Sequence, residues 1–195
     1  TVYMHPVARI SKAMLRRATE RLIEETAIDA ERVRRMDDHD LLVALRQTPE
    51  TEDFAERYGS RRLLKRAVWA ELQHVPDSLL AADHERIREL ESTVADRAEL
   101  PATDVIIEIP AEPTMRESTS RVVVGGEIRD LGAQSPLVGA LRTAQRGQWR
   151  LGVYTRPEAT ERVGRLAAET LGLELPDGLI RERHRGLHAT LDEFE

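Results

Sequence analysis

Pro101-Ala102-Thr103-Asp104-Val105-Ile106-Ile107-Glu108-Ile109-Pro110 divides the chain into two kinds of pattern. Its β-branched run, closed by a proline at each end, suits a pleated strand over 104–109 and offers no helical stripe. Upstream, apolar residues recur at spacings of three and four. Downstream, short apolar runs alternate with glycine and proline. That change of period predicts an α+β protein: a mostly helical N-terminal segment over 1–100, then a small lobe over 101–175 with a largely antiparallel sheet and two helices. Residues 176–195 are polar and read as a disordered or partner-docked tail.

Working back toward the start, Asp83 is placed to cap a charged helix carrying Ile87, Leu90 and Val94. The stretch 61–72 suits either a continued helix or a strand, with Ala67-Val68-Trp69 at its centre and Pro76 closing it. Pro49 with Glu50, Glu52 and Asp53 reads as the acidic first turn of a helix ending near Gly59, since carboxylates favour the positive end of the helix dipole. Asp29 suits the cap of a short turn, and Asp37 or Asp38 that of a helix bearing Leu41, Leu42 and Leu45. Val7, Ile10, Met14, Ala18, Leu22 and Ile23 place one apolar stripe along a helix over 3–25.

Working forward, Val122-Val123-Val124 and Glu127-Ile128-Arg129 flank Gly125-Gly126, which predicts a hairpin or one strand broken by a bulge. Ser135-Pro136 reads as a cap followed by proline at the first helical position. A strand over 148–155 sets Trp149, Leu151, Val153 and Thr155 on one face, and Pro157 opens a last helix reaching Leu171.

Composition narrows the function. No apolar run approaches the ~20 residues that span a bilayer, so no membrane partner is expected. The chain has no cysteine, which removes disulfides, thiolate nucleophiles and Cys-ligated zinc and suits a cytoplasmic protein. Formal charge is −6, and aromatics are 4% of residues, leaving few stacking platforms for single-stranded nucleic acid. Basic pairs such as Arg16-Arg17 and Arg34-Arg35 are interleaved with acids and read as solvated faces. Arg61, Arg62 and Lys65 stand as a candidate anion site. Nucleic acid is not the expected partner.

No complete catalytic set is legible. Asp37-Asp38-His39-Asp40 contains the His-Asp pair of one class of metal phosphohydrolases, yet no further His and Asp ligands converge with it, and helix capping explains the acids. His184 and His188 stand four apart, but Gly186 between them disfavours a helix. Gly125-Gly126 lacks the helix-opening glycine pattern of a phosphate loop, and no serine sits in a nucleophile elbow. No catalytic residue and no metal ligand is therefore assigned.

Tyr3-Met4-His5-Pro6 followed by 7–23, then Met36-Asp37-Asp38 before Leu41-Leu42, then Arg61-Arg62-Leu63-Leu64-Lys65-Arg66, resembles the region after the catalytic core of SAM-and-HD-domain dNTP triphosphohydrolases. The order continues through 104–109, Ile128-Arg129-Asp130-Leu131-Gly132 with Ser135-Pro136, and 150–154, so that it covers most of the chain to about Leu173. The resemblance implies that Tyr3 packs near a nucleotide sugar and that His5 lies near a regulatory nucleotide phosphate. Pro6 and Gln134 stand where activated members carry lysines, a loss of two cations that argues against nucleotide activation of that type.

The resemblance further implies hydrolysis at a divalent metal held by His, His-Asp and Asp ligands, all expected before Thr1, because the chain opens without Met as though cut from a longer protein. It is thus expected to be the C-terminal part of a metal-dependent phosphohydrolase acting on (deoxy)nucleotides, inactive alone, supplying homo-oligomer contacts and a pocket wall. A stand-alone regulatory or oligomerisation module is the alternative.

Overall fold

The structure, a computed structural model, describes residues 6–111 and 120–174. It opens on α1 (Pro6–Glu25), whose Ile10, Met14, Ala18 and Leu22 are buried along one face because residues four apart stack on a helix. Helices α2 (Ala30–Arg34) and α3 (Asp38–Gln47) each begin on an aspartate. Asp29 accepts from the Arg32 amide and Asp37 from the Asp40 amide, both at 2.8 Å. Each such cap is worth about 1 kcal/mol. Pro49 starts α4 (Pro49–Gly59), and the buried Thr51 hydroxyl donates to the Leu45 carbonyl at 2.7 Å, tying α4 to α3.

The stretch open to two readings forms a strand, β1 (Lys65–Glu71). It is followed by α5 (Asp77–Leu80) and by α6 (His84–Arg97), which Asp83 caps through the Arg86 amide at 2.8 Å. Strand β2 (Ile106–Glu108) is shorter than the run of β-formers. Residues Ala102–Asp104 make a 3-10 turn instead, which carries the Asp104 carboxylate inward to two arginines. The hairpin of β3 (Arg121–Val124) and β4 (Glu127–Asp130) turns on Gly125 and Gly126, whose φ values of 61° and 86° are the left-handed pair that a two-residue hairpin loop demands. Then come α7 (Leu131–Gln134), α8 (Pro136–Gln148), β5 (Arg150–Thr155) and α9 (Thr160–Leu171). Gln148 closes α8, so β5 starts two residues later than its alternation suggests.

Strand β5 is the centre of an antiparallel sheet of order β1-β5-β2, and the β3-β4 hairpin is separate. One sheet face sends Val68, Ala70, Ile107, Leu151 and Val153 into a core closed by Leu90 and Val94 of α6 and Val163 and Ala167 of α9. The other sends Trp69, Ile106 and Tyr154 against Met14 and Leu22 of α1, Leu45 of α3 and Phe54 of α4. The face of Trp149, Leu151, Val153 and Thr155 is buried, but so are Gly152 and Tyr154, because helices cover both sides. The architecture is α+β, with the helical upstream part lending β1 to the sheet, so that packing runs across Pro101.

Gly152 has a specific role in this central strand. A Cβ there would lie 2.5 Å from the Tyr154 hydroxyl oxygen, so only glycine lets that phenol ring fold back over the strand.

Candidate functional site

The basic connection from α4 to β1 carries the candidate anion residues. Ser60 ends α4, its hydroxyl donating to the Glu56 carbonyl at 2.7 Å, and Arg61 follows with a φ of 57° that turns the chain sharply. Leu64 then plunges into the core, its amide donating to the Met14 sulfur at 3.3 Å. The three cations have different surroundings. Arg62 is held by its neighbours, donating to Glu56 at 2.6 Å and to the Ser60 hydroxyl at 2.9 Å. Arg61 and Lys65 are exposed, and their side chains make no ion pair among the described residues. Their donors are the ones free to meet an anion.

Lys65 pairs with Thr155, so Arg156 lies at the same end of the sheet. There Asp104, wholly buried, receives Arg57 of α4 at 3.3 Å and Arg156 at 2.5 Å. The Asp104 carboxylate, accepting from Arg156, raises that guanidinium above its ordinary value. Asp104 thus fixes two guanidinium groups beside the Arg61–Lys65 connection without occupying Lys65 itself.

A part-buried polar assembly lies on the α1 side of the sheet, and a buried one bridges α1 and α6 at the β2 edge. Glu108 accepts from Arg9 at 3.0 Å and from the Tyr154 hydroxyl at 2.5 Å, while Arg9 also donates to the Arg150 carbonyl at 2.9 Å and covers the Trp69 ring at 4.4 Å. Burial, and then the adjacent Glu108 carboxylate, push the Tyr154 phenol above its ordinary value, so it keeps its proton and donates a hydrogen bond to Glu108. Deeper, Arg17 donates to Glu91, whose other carboxylate oxygen accepts from the Ile107 amide at 2.8 Å. Burial lowers the Arg17 value, and Glu91 works against that shift. Sequence reasoning missed both assemblies. It placed Arg17 on a solvated face, yet the side chain is 6% exposed, and its partner lies 74 residues away where no local pattern signals it.

The remaining candidates fall as follows. Tyr3, His5, His184 and His188 lie outside the described residues. Pro6 is the first residue of α1, and Gln134 the last of α7. Asp37 caps α3 as its position suggested. Among the described residues no group of three His, Asp or Glu side chains is arranged to hold a metal, and no helix is long and apolar enough to cross a membrane.

A family model described as the HD associated region matches residues 1–182. The chain belongs to the HD-associated region family. As an HD-associated region it is linked to HD-domain proteins, the context that its sequence pattern suggested. It is also similar to an uncharacterized protein of Methanocaldococcus jannaschii, at 27% identity over 161 residues. That match covers 80% of this chain and 35% of the archaeal protein, so the chain spans about a third of its relative's length.

Proposed function

We propose that this HD-associated region completes a metal-dependent HD phosphohydrolase acting on (deoxy)nucleotide phosphates, similar to the SAM-and-HD-domain dNTP triphosphohydrolases. The observation that carries the reading is the family match across residues 1–182, which ties nearly the whole fold to HD-domain partners. Residues 1–100 then continue an HD-type core, 101–175 form the accessory lobe and 176–195 a polar arm, in a cytoplasmic enzyme whose substrate is nucleotide and not nucleic acid. Tyr3 would wall the sugar, where an unpaired, crowded 2′-hydroxyl is disfavoured. His5, Arg61 and Lys65 would contact phosphate, with Arg62 held back by Glu56.

The described residues do not fit a catalytic ion, so the divalent metal and its activation of water belong in this reading to the HD domain. This chain's share is to bind, wall and couple. Its exposed apolar residues favour homo-oligomeric assembly: Val123 is 72% and Ile128 67% exposed on the hairpin, and Leu137 67% and Leu141 48% on α8. The same surface favours the second reading, a regulatory or oligomerisation module without catalysis.

Turnover by the full-length protein separates the two. With Mg²⁺ or Mn²⁺ and a panel of dNTPs and NTPs, release of phosphate or triphosphate is expected. No turnover across the panel, with the protein folded and assembled, would leave the module.

A further inference from the structure

A cavity of about 350 Å³ opens between α1, α6 and the outer edge of β2, away from the α4–β1 connection. Its volume falls within the ~300–1,000 Å³ of small-molecule sites. The wall is two-faced. Ile87, Ile106, Ile109 and Pro110 supply an apolar side, and Lys12, Arg16, Arg17 and Arg88 a cationic one.

The cationic side is incompletely satisfied. Arg17 is 6% exposed and engaged with Glu91, and its Nε, which has no hydrogen-bond acceptor and lies 3.8 Å from Glu20, is sealed from the cavity, so it adds charge to the wall and not a free donor. Arg88 reaches Glu91 and Glu24 only at 3.7 Å, and no hydrogen bond forms to either. Lys12 has no ion-pair partner among the described residues. The carboxylates cannot make up the deficit. Glu91 is committed to Arg17 and the Ile107 amide, Glu108 to Arg9 and Tyr154, and Glu20 to Arg16 at 2.9 Å.

We propose that this cavity binds the phosphate group of a small phosphate monoester, with Lys12 and Arg88 around the oxyanion, Arg17 behind them as a buried positive charge, and the organic part against Ile87, Ile106 and Pro110. Two cations with unspent donors, Lys12 and Arg88, border one volume and suit the oxygens of such a group. A peptide strand is the obvious rival at a sheet edge. It is blocked here, because Glu91 already takes the outward Ile107 amide that strand addition would need.

The test titrates the full-length protein calorimetrically with phenyl phosphate, inorganic phosphate and benzoate, and maps protection by hydrogen exchange. Phenyl phosphate is expected to bind best, to protect 84–91 and 106–111, and to lose at least tenfold in affinity in Lys12→Ala/Arg88→Ala. That variant breaks no hydrogen bond of the fold, whereas Arg17 is left intact because its loss would strand Glu91. Retained binding in Arg61→Ala/Lys65→Ala is expected and separates this cavity from the nucleotide reading. Overturning results are no binding, equal affinity for inorganic phosphate or benzoate, indifference to the Lys12/Arg88 change, or loss of binding with Arg61 and Lys65.

Discussion

Replacing Glu91 by alanine should be the most damaging single change on the α1 side of the sheet. The carboxylate is 2% exposed and serves two donors from different elements, the Arg17 guanidinium of α1 and the Ile107 amide of β2. Its removal leaves a buried cation unpaired, a loss of about 3–5 kcal/mol, and orphans a backbone donor at the sheet edge. At ~2–4 °C per kcal/mol for a chain of this size, melting should fall by about 10 °C or more. Glu91→Gln keeps an acceptor for Ile107 and loses only the charge, so it should cost less. In Arg17→Met/Glu91→Gln the stranded cation is gone as well, and stability should return to within about 1 kcal/mol of the parent. Denaturant unfolding followed by circular dichroism, with the slope compared across variants, reads the series. Hydrogen exchange at the Ile107 amide should rise sharply in the alanine variant alone. If Glu91→Ala unfolds within 1 kcal/mol of the parent, or the double variant is as weak as the alanine, the pair does not hold α1 to the sheet.

Tyr154 makes stability depend on alkaline pH. Its folded value is raised, so the folded state keeps the phenolic proton that the unfolded chain releases near its ordinary pKa of ~10; the stabilisation is present below that pH and is lost as pH climbs above it. Tyr154→Phe should flatten the decline between pH 9 and 11 in thermal melts, and an unchanged slope would contradict the assignment. Gly152→Ala drives a Cβ to 2.5 Å from the Tyr154 oxygen and should cost about 1–3 kcal/mol, partly relieved when Tyr154 is itself reduced to leucine; additive losses would deny the contact. Ile128→Asp/Leu137→Asp changes only exposed positions, so it should leave melting within about 0.5 kcal/mol of the parent while shifting sedimentation toward smaller species. Unaltered sedimentation would remove that face from the assembly.

What could be read ahead of the structure follows the range of the interactions involved. The caps at Asp29, Asp37 and Asp83 act across three residues, and the Gly125-Gly126 turn across two, so local chemistry alone reveals them. The stretch around Ala67-Val68-Trp69 could not be decided that way. Its β conformation depends on pairing with β5, some 85 residues later, and Ala67 sits where the register shifts between Arg66 and Val68. Tyr154 escaped notice for a related reason. Alternation set only Trp149, Leu151, Val153 and Thr155 on one face and said nothing of Tyr154, but α1, α3 and α4 cover the opposite face and make β5 a doubly buried strand. Ion pairs were the least legible of all. Arg16 and Arg17 are adjacent and chemically identical, yet Arg16 points outward to Glu20 with 68% of its side chain exposed, while Arg17 turns inward to Glu91. Which arginine is structural is decided by a one-residue step of about 100° around α1, with the stripe of Ile10, Met14 and Ala18 marking the inside and α6 supplying the partner. The same step puts Arg17 rather than Arg16 deepest in the cavity wall. A basic pair on an amphipathic helix therefore carries two unlike roles, which composition does not divide but the place of each arginine against the apolar stripe does.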